Sequence, residues 1–217
     1  MKTFTPILAT LSGLCAVAAG TRDARRGPCS AGLSAGFVHN EFAYVAPLSR
    51  FTDLAGSFFH GEWFGGNDTT FTHTSGTDNV PGATRSGVFA SDDPHLRYAA
   101  NFTETLTHYA FRPGSFLHMS FRAVVSIGSL DAGTLHQDTY SETVRFESVC
   151  AGHATYITFL ARTCAQSQSG AYDFAYGTHL AAALGLKATV GAAIMSGDCP
   201  VFTPYEDEEC DGEDEQP

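Results

Sequence analysis

Positive charge is scarce in this chain: 12 lysines and arginines stand against 23 aspartates and glutamates, a formal net charge of −11. Much of the imbalance sits at one end, where PYEDEECDGEDEQP holds eight acids and no base. Without that segment and residues 1–26, eight basic and fourteen acidic residues remain, a net of −6. No basic patch is expected that could track a phosphate backbone, so nucleic acid is not an expected partner. Long apolar runs are also missing. The longest helical pattern, residues 171–195, is interrupted by His179 and Lys187, and no membrane span is expected. The acidic segment has no hydrophobic tail and so is not expected to be a lipid-anchor signal. Nine histidines occur without HExxH or HxH spacing, and C-x-x-C, phosphate-loop and dinucleotide motifs are lacking. Neither a metal nor a cofactor is expected. GLSAG around Ser34 matches a hydrolase elbow in letters alone, because a Gly-rich arm rather than a strand precedes the serine.

What is present begins with a leader. MKTFTPILATLSGLCAVAAG has Lys2, an apolar stretch from Ile7 to Val17 and the small-residue pattern Ala16-Val17-Ala18, the anatomy of a secretory signal peptide over residues 1–19. Residues 20–35 form an arm in which Arg25-Arg26 reads either as a dibasic processing site or as an exposed basic linker. The remaining chain suits one domain, large enough to bury about 70% of its unfolded surface. A secreted, extracellular location makes disulfides expected among Cys29, Cys150, Cys164, Cys199 and Cys210. Five is odd, so one thiol stays free or pairs with another chain. Cys29 is expected to join Cys199 or Cys210. The sequons at Asn67 and Asn101 are expected to be glycosylated surface positions, and residues 196–217 a solvated acidic extension.

Between these ends the pattern is regular. GFVHNEFAYV (36–45) reads as a strand, and the segment after Pro47 as one or two short helical turns. GGNDTTFTHTSGTDN reads as loop. Strands follow near 82–90, 96–112, 115–127, 138–150 and 153–164, joined by short turns that imply antiparallel neighbours. The last element has apolar residues three and four apart, Tyr172, Tyr176, Leu180, Leu184, Val190 and Ile194, which predicts a helix. A meander of that length curls, and the helix is expected on its concave side. The class is α+β.

This order resembles the helix-grip fold of the START-like, or SRPBCC, superfamily, which includes birch-pollen-allergen-like proteins and polyketide cyclases and dehydratases. The residues that carry the likeness are YVAPLSRFTDL, with a small residue and proline before a short helix; VPGATRSGVF, a Gly-x-x-Arg strand opening; and NFTETLTHYAF, a glutamate followed by alternation. SFLHMSFRAV, YSETVRFESVCAGHATYITF and the last helix continue in order, so the resemblance covers residues 36–195. It implies a curved antiparallel sheet wrapped around a long C-terminal helix.

Alternation then nominates the site. A glycan on Asn101 would turn Thr103, Thr105 and Thr107 to water and send Phe102, Glu104, Leu106 and His108 inward. Arg85 is expected to pair across strands with Glu104. Glu104 and His108 either orient a ligand's polar end and act as general acid and base, or are satisfied by Arg85 or Arg97. Tyr140 offers a hydroxyl to a ligand or is an ordinary core tyrosine. The apolar lining is read as Phe102, Leu106, Phe121, Phe146, Phe159, Leu180 and Leu184, the composition of a pocket for a hydrophobic small molecule such as a lipid, polyketide or terpenoid. The resemblance adds a second reading, a cofactor-independent cyclase or dehydratase using Glu104, His108 and Tyr140. A third is a non-catalytic secreted interaction or effector protein.

Overall fold

The structure is a computed structural model that describes residues 29–199 apart from 62, 65–68, 91–97 and 130–132. At 90, 98–99, 126–129 and 133–140 the backbone alone is described. The signal peptide, Arg25-Arg26, Asn67, Arg97, Cys210 and nearly all of the acidic extension lie outside these residues.

Strand β1 (Ser34–Val45) leads through Pro47 into α1 (Leu48–Ala55), which buries Leu48, Phe51 and Ala55. Strands β2 (Thr69–Ser75), β3 (Thr84–Ala90), β4 (Tyr98–Arg112), β5 (Phe116–Ser129), β6 (Gly133–Val149) and β7 (Ala154–Ala165) form the meander. Helix α2 (Gln168–Val190) and the two-residue β8 (Ala193–Ile194) close it. The sheet is antiparallel, curved and eight-stranded, in the order β2-β3-β4-β5-β6-β7-β1-β8. This is the expected helix-grip arrangement. Strand β2 corrects the loop assignment: TTFTHTS is rich in hydroxyls and followed by glycine, yet threonine suits a pleated edge, and it pairs with β3 from Thr69↔Phe89 to Ser75↔Thr84.

Gly82 (φ +96°) makes the turn before β3, and its N–H donates to Leu106 O at 2.8 Å. That bond fixes the register that sets Arg85 opposite Glu104 and Gly87 opposite Phe102. Strand β4 then carries a bulge at Thr107, since Leu106 opposes Phe121 while His108 opposes Ser120. One extra residue reverses every later side chain. Tyr109 therefore points inward, its hydroxyl donating to Gly56 O at 2.7 Å, and His108 faces water.

Helix α2 starts at Ser167, whose Oγ accepts from Gly170 N–H, and stops at Gly191 (φ +70°). Its buried face is not the expected one. Ala171, Ala175, Thr178, His179, Ala182, Ala183, Leu186 and Val190 go inward, whereas Tyr172, Tyr176 and Leu184 are 49%, 41% and 48% exposed. The sheet explains this. Its concave side already carries Phe121, Phe146 and Phe159, joined by Phe58 from the loop after α1, all at most 2% exposed. A helix laid over such bulk fits closely only through small side chains.

Two disulfides fasten the ends: Cys29–Cys164 joins the N-terminal arm to β7, and Cys150–Cys199 joins the β6–β7 turn to the segment after α2. The expected partner of Cys29 is thus corrected. Residue 35 opposes Cys164 in the β1–β7 ladder, so the arm leaving β1 passes β7 and not the C-terminal segment.

Candidate functional site

Between the β2–β5 half of the sheet and the first turns of α2 lies a recess lined by Phe64, Phe71, Phe89, Phe102, Val125 and Phe174, with Thr69, Thr178, Arg85 and Glu104 as its polar members. Counting its open mouth, it encloses about 390 Å³, but only about 30 Å³ is room for a water-sized group inside. That is space for one or two waters. The hollow expected from the alternation is therefore largely filled. Phe64 fills part of it, its ring 6.1 Å from Phe121, 5.9 Å from Phe159 and 6.1 Å from His179. Phe174 closes another side, edge-on to Phe89 at 5.7 Å.

The polar floor is strongly held. Arg85 Nε donates to Glu104 Oε2 at 2.5 Å, and Nη1 donates to Phe58 O at 2.6 Å. The guanidinium sits over the Phe58, Phe71 and Phe121 rings at 4.4, 4.9 and 5.4 Å. Arg85 and Glu104 are 2% and 3% exposed. The expected cross-strand pair forms, in register and inside the core. Gly61 follows from it, because a Cβ there would fall within the Arg85 guanidinium. The hydroxyls are also engaged: Thr69 Oγ1 donates to Phe64 O at 2.9 Å and Thr178 Oγ1 to Ala175 O at 3.0 Å.

A second buried polar group lies beside the first. His179 sits between Asn40 Oδ1 at 2.6 Å and Glu142 Oε2 at 3.2 Å, stacked on Phe159 with centroids 5.0 Å apart. Burial raises the Glu142 carboxyl above its ordinary 4.5; His179 opposes the shift and the nearby Glu104 adds to it. Glu142 Oε1 and Trp63 Nε1 are buried with no hydrogen-bond partner among the described residues. From Arg85 through Glu104 and Glu142 to His179 and Asn40, ionisable and amide groups cross an otherwise aromatic core.

Of the nominated residues, Glu104 and Phe102 line the recess, and Leu106, Phe121, Phe146 and Phe159 belong to the core around it. Leu180 is half-buried and Leu184 is on the outer side of α2, so Phe174 and Thr178 take the place expected of them. His108 is corrected as a cavity residue: the Thr107 bulge sets it on the outer face, its ring 4.8 Å from that of His118. Tyr140 is fixed in β6 opposite Ala123 and Thr163, and its side chain lies outside the described atoms. The acid–base set of Glu104, His108 and Tyr140 is thus not assembled at one point. Asn101 is exposed on β4, where a glycan would fit. The missed wall residues Phe71 and Phe89 carried a signal, since Phe89 lies four residues beyond Arg85 on the same face of β3.

No protein-family model matches the chain, and no curated protein matches it in sequence. Solved structures do. The crystal structure of Ara h 8.0201 is 8% identical at a TM-score of 0.50, covering 72% of this chain and 98% of its own. A protein from Nitrosospira multiformis is 15% identical at 0.50, covering 70% and 94%. Norcoclaurine synthase from Thalictrum flavum is 11% identical at 0.45, covering 86% and 98%. The fold is that of the birch-pollen-allergen-like, SRPBCC proteins. On that fold this chain carries two disulfides and a buried Arg–Glu pair beneath a narrow aromatic recess.

Proposed function

We propose that this chain binds a small hydrophobic molecule in the sheet–helix recess, its polar end directed at the Arg85–Glu104 floor. The observation that carries the reading is the lining itself: six apolar, mostly aromatic walls converge on one buried ion pair. Apolar enclosure with a few placed polar groups is the usual make-up of a small-molecule site. The closed volume of about 30 Å³ sets a condition. A ligand of ten or more heavy atoms enters only as Phe64 or Phe174 turns aside, because sites for such molecules span about 300–1,000 Å³. Secretion, read from the leader and supported by the two disulfides, makes an extracellular ligand the expected one.

The test is titration with the neutral fluorophore N-phenyl-1-naphthylamine, with lipids, polyketides and terpenoids as competitors. Saturable uptake that is lost in Thr178→Phe, which fills the recess, supports the proposal. Equal uptake by both proteins, or none by either, overturns it. One observation favours a second reading, that of an interaction protein: the recess is small while Phe37 and Ile194 are 72% and 60% exposed. Absence of uptake together with a stable complex on size-exclusion chromatography would favour that reading.

A further inference from the structure

The outer face of the sheet carries a feature that the ligand recess does not use. In the ladder, Arg122 on β5 opposes Ser141 on β6, and Ser141 opposes Arg162 on β7. The two arginines thus flank one serine in a straight row. Strands lie about 4.8 Å apart, so the arginine Cα atoms stand about 10 Å from each other. Both side chains are exposed, and neither has an ion pair or hydrogen bond among the described residues. The hydroxyl residues Thr107, Ser120, Ser141 and Thr143 share the same open concavity of about 310 Å³, with Leu160 and with Phe121 and Glu142, both buried residues of the core side. Bulges bound it, at Thr107 in β4 and between Gln137 and Thr139 in β6. Bulges bend a sheet locally and re-aim side chains. Two outward rows further along β6, beyond Thr143, stands Arg145, opposite His118.

We propose that this row binds a phosphate or sulfate group. In a chain with nearly twice as many acids as bases, two guanidiniums either side of one serine, without carboxylate partners among the described residues, leave donors unused. A planar carboxylate engages one guanidinium fork, whereas a tetrahedral oxyanion accepts from two forks and a hydroxyl at once. Phe37, 72% exposed, opposes Arg162 from β1 and offers a flat apolar neighbour to the body of an ester. The site is independent of the recess on the other side of the sheet.

The test follows Arg Nε–Hε and Ser141 amide resonances of the purified full chain during titration with inorganic phosphate, inorganic sulfate and phenyl phosphate, sodium chloride holding ionic strength constant. The expected result is saturable shifts at Arg122, Ser141 and Arg162. Each single Arg→Gln variant should bind about tenfold more weakly, the loss of one charged hydrogen bond. The double variant should bind at least about 30-fold more weakly, and Arg112→Gln, which removes the same charge elsewhere, should bind as before. The tighter of phosphate and sulfate names the ester. Phe37→Ala should weaken phenyl phosphate alone, and no selective loss removes Phe37 from the site. Unchanged affinity in the double variant, or shifts that follow chloride equally, overturns the proposal.

Discussion

Replacing Glu104 by glutamine keeps the shape and one acceptor oxygen but removes the charge that answers Arg85. The guanidinium is 2% exposed, enclosed by three aromatic rings, and its described hydrogen bonds go to Glu104 and the Phe58 carbonyl. Breaking a buried pair from one side leaves an uncompensated charge and costs about 3–5 kcal/mol. With a urea slope of about 2 kcal/mol/M, the midpoint of unfolding should fall by about 2 M. In a chain of this size the melting temperature should fall by about 10 °C. The double variant Arg85→Met/Glu104→Met removes both charges and should recover most of the loss, since apolar replacement of a buried pair is often neutral. Chemical denaturation of wild type, Arg85→Met, Glu104→Met and the double closes the cycle. A loss under about 1 kcal/mol for Glu104→Gln, or a double variant worse than either single, would refute the view that the pair is held as ions.

Three further outcomes follow from the same geometry. Because Glu142 is raised above 4.5 by burial, the folded state holds its proton more tightly than the unfolded chain. Its contribution to stability should thus be full below pH 4.5 and be lost as pH rises through the folded value, and Glu142→Gln should remove that part of the decline in pH-dependent urea midpoints; an unchanged slope would contradict it. On α2, Ala182→Leu should cost about 1–3 kcal/mol by overpacking, while Leu184→Ala on the outer side should stay within about 0.5 kcal/mol; thermal melts showing the reverse order would restore the expected helix face. Replacing Cys150 and Cys199 by alanine should lower stability by up to about 4 kcal/mol, the chain-entropy value for a 49-residue separation, and the response to reductant that remains in melts of the variant should be that of Cys29–Cys164 alone.

The topology was legible because short turns between alternating segments leave few ways to pair strands, and the Gly82 turn made the Arg85–Glu104 pair readable as well. What escaped the sequence has physical causes. A bulge adds a residue without changing composition, so LTHYAF around Thr107 gives no warning that His108 and Tyr109 exchange faces. On α2, apolarity pointed to Tyr172, Tyr176 and Leu184, whereas the aromatic sheet left room for alanines; size, not hydropathy, chose the face. Strand β2 was hidden by hydroxyl-rich residues that suit an edge strand as well as a loop. The Arg122–Ser141–Arg162 row could not be seen from net charge, because it exists only across three strands.

The most direct measurement of the central claim is a set of intermolecular nuclear Overhauser effects between bound N-phenyl-1-naphthylamine and the labelled methyl groups of Val125 and Thr178. The account predicts contacts to both, with the Phe64 ring resonances shifting as the ring moves aside. Contacts confined to the outer tyrosines of α2 or to Phe37, with the Val125 and Thr178 methyls unaffected, would contradict it.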